Sequence, residues 1–165
     1  TSFVYPKTGL HTGTALATDY HTSDTYFHVS DVREPFIKTP KSSIAQTYPL
    51  VDRNEELLIA HVHAINFTRF NKFKSQIDVL VEKISQHDGP AIVSGDFNTH
   101  FYPRKKYLFS RMAELGYTLS KPQNDRRLLP YTHVFTRSVT VESCTYANSI
   151  TSSDHKPFIL KFSIN

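Results

Sequence analysis

Three apolar runs of this 165-residue chain give way to acids, amides or imidazoles. Ala91-Ile92-Val93 runs into Ser94-Gly95-Asp96-Phe97-Asn98. The run from Leu57 to Ala64 carries His61 and His63. Ser153-Asp154-His155 precedes a last apolar run that starts at Phe158. Side chains delivered at or near strand ends build a polar site on the edge of a sheet. Asp, Asn and His together suit phosphate-ester hydrolysis assisted by a hard cation. Carboxylate oxygens hold Mg²⁺, an amide donates to a phosphoryl oxygen, and imidazole moves protons.

Each pattern also has a plainer reading. Asp96 and Asn98 leave one face if the backbone stays extended, and Gly95 gives the turn freedom or lets a ligand approach. The same residues make an ordinary Asx turn. Asp154-His155 is a surface loop, or a carboxylate near a cation or water beside a proton-transferring imidazole. Such an imidazole needs a second group to fix its tautomer. His61 and His63 share one face of a strand. They are half-buried and hydrogen-bonded, or a zinc pair. Zinc would require further ligands of clear spacing, and a chain with one cysteine has no thiolate cluster.

These residues need a rigid frame, and the sequence supplies its elements. The chain is long enough for one domain, 1–165, with a real core. An apolar share of 39% and an aromatic share of 13% fit a globular protein and argue against disorder, and no apolar run approaches a membrane span. Cys144 stands alone, so no intrachain disulfide forms. A cytoplasmic, monomeric protein is expected, although Thr1 is not an initiator Met. Strands are expected over Gly13–Thr18, Thr25–Ser30, Ser43–Tyr48, Leu57–Ala64, Ala91–Val93, Thr132–Arg137, Thr140–Tyr146 and Phe158–Ile164. Arg33-Glu34-Pro35 to Pro40-Lys41 is a proline-punctuated loop or edge. Phe70, Phe73, Ile77, Leu80, Val81 and Ile84 recur at helical spacing, with Thr68 or Asn71 as cap and Gly89-Pro90 beyond the end. A second helix is expected over Lys105–Leu115, closed by Gly116. The net charge of +4 gathers at Arg104-Lys105-Lys106, Arg126-Arg127 and Arg69/Lys72/Lys74, which suits a polyanion or an ordinary solvated surface.

Val62-His63-Ala64-Ile65-Asn66-Phe67, Gly95-Asp96-Phe97-Asn98 and Ser153-Asp154-His155, in that order, resemble the endonuclease/exonuclease/phosphatase (DNase I-like) superfamily. With Arg33-Glu34-Pro35 to Pro40-Lys41 they look like a small bacterial branch carrying His-Ala-(Ile/Val)-Asn-Phe. The resemblance runs from about Gly13 to the C-terminus. It implies an α/β fold, a four-layered sandwich of two mixed β-sheets flanked by helices. It also implies Mg²⁺- or Mn²⁺-dependent hydrolysis of phosphodiesters or phosphomonoesters by activated water. Carried over by position, Asp96 positions or deprotonates the water, and Asn98 helps hold the scissile phosphate. His63 stabilises the phosphoryl group or protonates the leaving oxygen. Asp154 serves the metal, and His155 acts on the water or the phosphate. Asn66, Arg104 and Lys105 are expected to bind substrate, with nucleic acid favoured over lipid or inositol phosphate.

Two departures qualify this expectation. The family's early Asn and metal-binding Glu have no match here, since Glu34, Glu55 and Glu56 stand in other contexts. An N-terminally incomplete domain is therefore expected. The alternative is a non-catalytic binding module that keeps the fold but lacks the metal-binding Glu. Thr132 also stands where the family has the Asp that orients the late imidazole. Its hydroxyl can accept a hydrogen bond from His155, and Asp125 or Glu142 could stand in for the missing charge.

Overall fold

The computed structural model describes every residue except 1, 6, 126–130, 154 and 165. Among the described residues the element order is β1 (Ser2–Val4), β2 (His11–Gly13), β3 (Asp24–Val29), β4 (Ser42–Pro49), β5 (Glu56–His63), α1 (Phe70–Ser85), β6 (Ala91–Asp96), α2 (Tyr102–Glu114), β7 (Thr118–Leu119), β8 (Thr132–Arg137), β9 (Thr140–Tyr146) and β10 (Phe158–Ser163). Six strands form one sheet in the order β3-β4-β5-β6-β8-β7, while β9–β10 and β1–β2 are separate antiparallel pairs. Within the large sheet only β5 and β6 run parallel, so the sheet is mixed as expected.

Strand alternation sorts the side chains into two cores. Leu58, Ala60 and Val62 of β5 and Ala91 and Val93 of β6 pack on one face, against Phe73, Ile77, Leu80, Val81 and Ile84 of α1 and Leu108 and Met112 of α2. The other face presents Leu57, Ile92 and Val134 to Phe158, Leu160 and Phe162 of the small sheet. Full burial of each large apolar side chain stabilises by about 1.5–3 kcal/mol. By the same alternation His61 and His63 share the face of Leu57. Ser94 and Asp96 share that of Ile92, and Thr132 that of Val134. The candidate catalytic strand residues therefore all lie in the layer between the sheets, at one end of it.

Most expected elements fall within a residue or two of their positions. The apolar stripe of α1 is buried, apart from the partly exposed Phe70. Its cap differs: neither Thr68 nor Asn71 caps it, and Arg69 takes the cap position without a side-chain hydrogen bond. Thr68 instead accepts from Arg104. The expected strand over Gly13–Thr18 ends at Gly13, because its small residues carry too little apolar surface to hold a ladder. α2 starts three residues earlier than expected, with Pro103 in its first turn, where a missing N–H costs nothing. Gly116 closes it at φ +76°, as expected of a glycine past a helix end. Both helices cover the same face of the six-stranded sheet, so the described residues fill three of the four expected layers.

One backbone contact fixes the register at the site. Gly95 has φ +146°, and a Cβ there would stand 1.9 Å from the Val62 carbonyl oxygen of the parallel neighbour. No rotamer relieves a clash with backbone. Gly95→Ala is expected to destabilise the domain by more than about 2 kcal/mol, in the range of strained or overpacked sites. Thermal melting beside wild type checks this. Equal melting temperatures would show that β5 and β6 can separate without cost.

Candidate active site

The turn that follows β6 is built around Asp96. The Asn98 backbone N–H donates to Asp96 Oδ1 at 2.9 Å, which closes an Asx turn. Asn98 itself sits at φ +49°, a conformation that Asn tolerates better than most residues. Its amide nitrogen donates to the Ala64 carbonyl at 2.8 Å and lies 3.4 Å from Asp96 Oδ2. The Asx turn is present, the backbone leaves the extended conformation at Asn98, and the Asp96 carboxylate lines a cleft.

The chain leaving β5 is held by three other parts of the fold. Ala64 N–H donates to the Asp96 carbonyl at 2.7 Å, Ile65 N–H to Gln76 Oε1 of α1 at 2.7 Å, and Asn66 N–H to Glu34 Oε1 at 2.9 Å. Gln76 and Glu34 are both buried. Arg104, 3% exposed, donates to the carbonyls of Ile65 at 2.8 Å and Thr68 at 2.7 Å, and reaches that of Asn98 at 3.5 Å. Its guanidinium therefore ties the segment after β5 to the turn after β6.

The site itself brings together two imidazoles and one carboxylate. His63 Nε2 lies 3.6 Å and His155 Nε2 3.8 Å from Asp96 Oδ2. Thr132 Oγ1 lies 3.3 Å from His155 Nδ1, within hydrogen-bond reach, and pairs with Asp96 across the β6–β8 ladder. The Tyr131 ring stands edge-on to the His155 ring at 5.2 Å. His63, Asp96, Tyr131 and His155 line a cleft of about 390 Å³ with Glu34, Lys41, Asn66, Asn98 and His100, and Thr132 stands behind His155. Burial pushes the Asp96 carboxyl above its ordinary range, against the opposing pull of the Asn98 N–H, His155, Lys41 and His100. Burial, then the charges of Lys41, His155 and His61, hold the His63 imidazole down to about 4. At neutral pH His63 is uncharged and able to donate or accept one hydrogen bond.

Of the expected site residues, His63, Asp96, Asn98, His155 and Asn66 line this one cleft. Asp154 lies outside the described residues, as do Arg126 and Arg127. Arg104 does not line the cleft, because its guanidinium is turned to the carbonyls of Ile65 and Thr68. Lys105 is exposed over the Phe109 ring and lines a different hollow, because α2 turns it away from the cleft. Asn98 donates to Ala64 and approaches Asp96, where an open phosphate donor was expected. The sequence reasoning missed Lys41, His100, Tyr131 and Gln76, and set Glu34 aside. No spacing marked them. Only the proline brackets around Glu34 and Lys41 hinted at a shaped segment.

The described residues do not by themselves fit a divalent cation. No three His, Cys, Asp or Glu among them are grouped as metal ligands. The Glu34 oxygens face the Asn66 N–H and the Lys41 ammonium, and Asp96 Oδ2 lies between two imidazoles. Mg²⁺ requires near-octahedral oxygen ligands, which these groups do not supply. His61, beside Ser94 at 3.3 Å, has the character of a hydrogen-bonded strand histidine.

The fold is the DNase I-like α/β sandwich. The catalytic domain of human Nocturnin, solved with a bound sulfate anion, superposes with a TM-score of 0.62 at 19% identity, covering 88% of this chain and 60% of that one. An endonuclease/exonuclease/phosphatase family protein from Bacteroides thetaiotaomicron gives 0.60 at 13% identity, covering 88% and 66%. In sequence, the chain is 34% identical over 137 residues to a UPF0294 protein of Vibrio vulnificus, covering 79% of this chain and 48% of that protein. The chain thus spans about half the length of the curated relatives it matches. No protein-family model matches it.

His63 provides a direct check of this electrostatic picture. Its folded value near 4 lies below the ordinary 6.5, so the unfolded chain takes up the proton first as pH falls. This group therefore subtracts stability between about pH 6.5 and 4 and has no effect above. NMR titration should place its midpoint near 4. A midpoint above 6 would mean that the ring is not buried as described, nor flanked by Lys41.

Proposed function

We propose that this chain carries most of the catalytic cleft of a phosphoesterase that cleaves its substrate with an activated water. The observation that supports this reading is the convergence of Asp96 Oδ2 with His63 Nε2 at 3.6 Å and His155 Nε2 at 3.8 Å in one open cleft. Asp96, raised by burial and fixed by the Asn98 N–H, orients the water and accepts its proton. Neutral His63 donates an N–H to a phosphoryl oxygen, the first of the two roles expected for it. Thr132 orients His155 through Nδ1, which leaves Nε2 for the water or the phosphate. Positioning and charge neutralisation lower the barrier.

Phosphodiesters of nucleic acid are the proposed substrates. The formal charge of +4 and the exposed Lys105 and Lys106 favour a polyanion. Proteins with similar folds include a D. rerio TDP2 complexed with single-strand DNA product and a mannosyl-6-phosphatase from Bacteroides thetaiotaomicron, so phosphomonoesters belong in the same assay. Dependence on Mg²⁺ or Mn²⁺ is proposed for the complete protein, with oxygen ligands additional to those described. The competing reading, a binding module without turnover, draws on the lack of a grouped metal-ligand set among the described residues.

Asp96→Ala in the complete protein is expected to lower hydrolysis of bis(4-nitrophenyl) phosphate at least about a hundredfold, the scale of a lost acid–base group. Its melting temperature should stay close to wild type. Equal turnover would refute the catalytic role, and no turnover by wild type with either metal would favour the binding module. Dialysis against EDTA should abolish activity, and Mn²⁺ or Mg²⁺ should restore it. Activity that survives dialysis would remove the metal from the proposal.

A further inference from the structure

Only one lysine or arginine lines the candidate cleft among the described residues, and it is Lys41. Arg104 is nearby but buried, and its guanidinium is committed to main-chain carbonyls. Lys41 stands at the start of β4, where the proline-bracketed loop ends. Its Nζ lies 3.5 Å from Glu34 Oε2, and the two side chains are 13% and 2% exposed. The other oxygen of Glu34 accepts the Asn66 N–H at 2.9 Å. The Glu34 backbone is fixed too: its N–H donates to the Thr39 carbonyl at 2.9 Å, and its carbonyl accepts from Lys38 N–H at 2.9 Å. Glu34 is therefore a rigid, buried counter-charge that sets the position of the Lys41 ammonium.

An ammonium has three N–H donors, and one carboxylate oxygen at 3.5 Å does not use them all. Lys41, with His63 and Ile37, also lines an adjoining hollow of about 440 Å³. The lysine thus stands at the junction of two cavities, beside the imidazole that faces Asp96. A fixed positive charge at such a place, held by a buried partner, matches the tetrahedral anion of a phosphoryl group. Lysine binds phosphate as a point charge and does not require the paired geometry that arginine does.

We propose that Lys41 is the resident cation of a phosphoryl-binding site at this junction, that Glu34 is its positioning residue, and that His63 completes the site as a neutral N–H donor. This rests on the phosphoesterase reading for its substrate but not for its anion. A Lys41–Glu34 pair with no ligand role would be a structural tie only, and its loss would register in stability and not in anion binding.

The experiment uses the complete protein, with inorganic phosphate as the probe in titration calorimetry and bis(4-nitrophenyl) phosphate hydrolysis measured alongside. Lys41→Met is expected to weaken phosphate binding at least tenfold, compared at a temperature where the variant is folded, and Lys41→Arg to stay within about threefold of wild type, since it keeps the charge. Glu34→Gln should weaken binding too, and the double variant should bind no more weakly than Lys41→Met alone, as expected of a residue acting through its partner. Phosphate binding by Lys41→Met within twofold of wild type would overturn the proposal, as would failure of the wild type to bind millimolar phosphate. Should Lys41→Met lose phosphate while no protein form hydrolyses the ester, the anion site stands and the phosphoesterase reading falls. Should Asp96→Asn lose turnover while Lys41→Met binds phosphate normally, the reverse holds.

Discussion

The parallel contact between β5 and β6 is the constraint on which the site depends. Val62 and Gly95 face each other in that ladder so closely that the carbonyl occupies the space a side chain would need. The next pair in register is His63 and Asp96. Imidazole and carboxylate are therefore neighbours because two strands can approach fully at a glycine. On the far side of β6, the ladder to β8 sets Thr132 opposite Asp96, and Thr132 meets His155. One row of three ladder positions thus sets His63, Asp96 and Thr132 side by side, and Thr132 holds His155 at the cleft.

Polar side chains do the remaining work, and most of them are buried. Gln76, Glu34, Asn98 and Arg104 each bind main-chain groups of the segments that leave the sheet. Irregular backbone under a cleft must find such partners, because an unpaired buried amide or carbonyl costs about 1–3 kcal/mol. The arginine expected to reach for substrate is instead part of the floor. Phe67, exposed and at φ +51°, shows that this floor also holds backbone away from its preferred region.

Periodicity made the frame legible. The stripe from Phe73 to Ile84 gave α1 its length and its buried face, and the apolar runs ending at His63 and Asp96 placed the central strands. The three ordered motifs made the fold class legible as well. Lys41 and Glu34 were not legible as cleft residues, because the cleft they line is completed by segments far along the chain. Asn66 follows Glu34 by 32 positions, and a sequence pattern carries no signal at that separation. Arg104 misled for a related reason. A basic triplet reads as surface, yet one of its members turns inward where three carbonyls need donors. Small-residue segments such as Thr14–Thr18 have weak periodicity of either kind, and there the strand expectation failed.

The segment after β5 has loop geometry, but its amides are anchored like those of a central strand. Ala64, Ile65 and Asn66 donate in turn to β6, to α1 and to the loop that carries Glu34. Freeing these three protons means detaching the segment from three separate parts of the domain. Such a segment has no cheap local opening, and its hydrogen exchange follows the unfolding of the whole. The cleft floor is consequently expected to exchange with the central strands rather than with the surface loops, although no ladder runs through it.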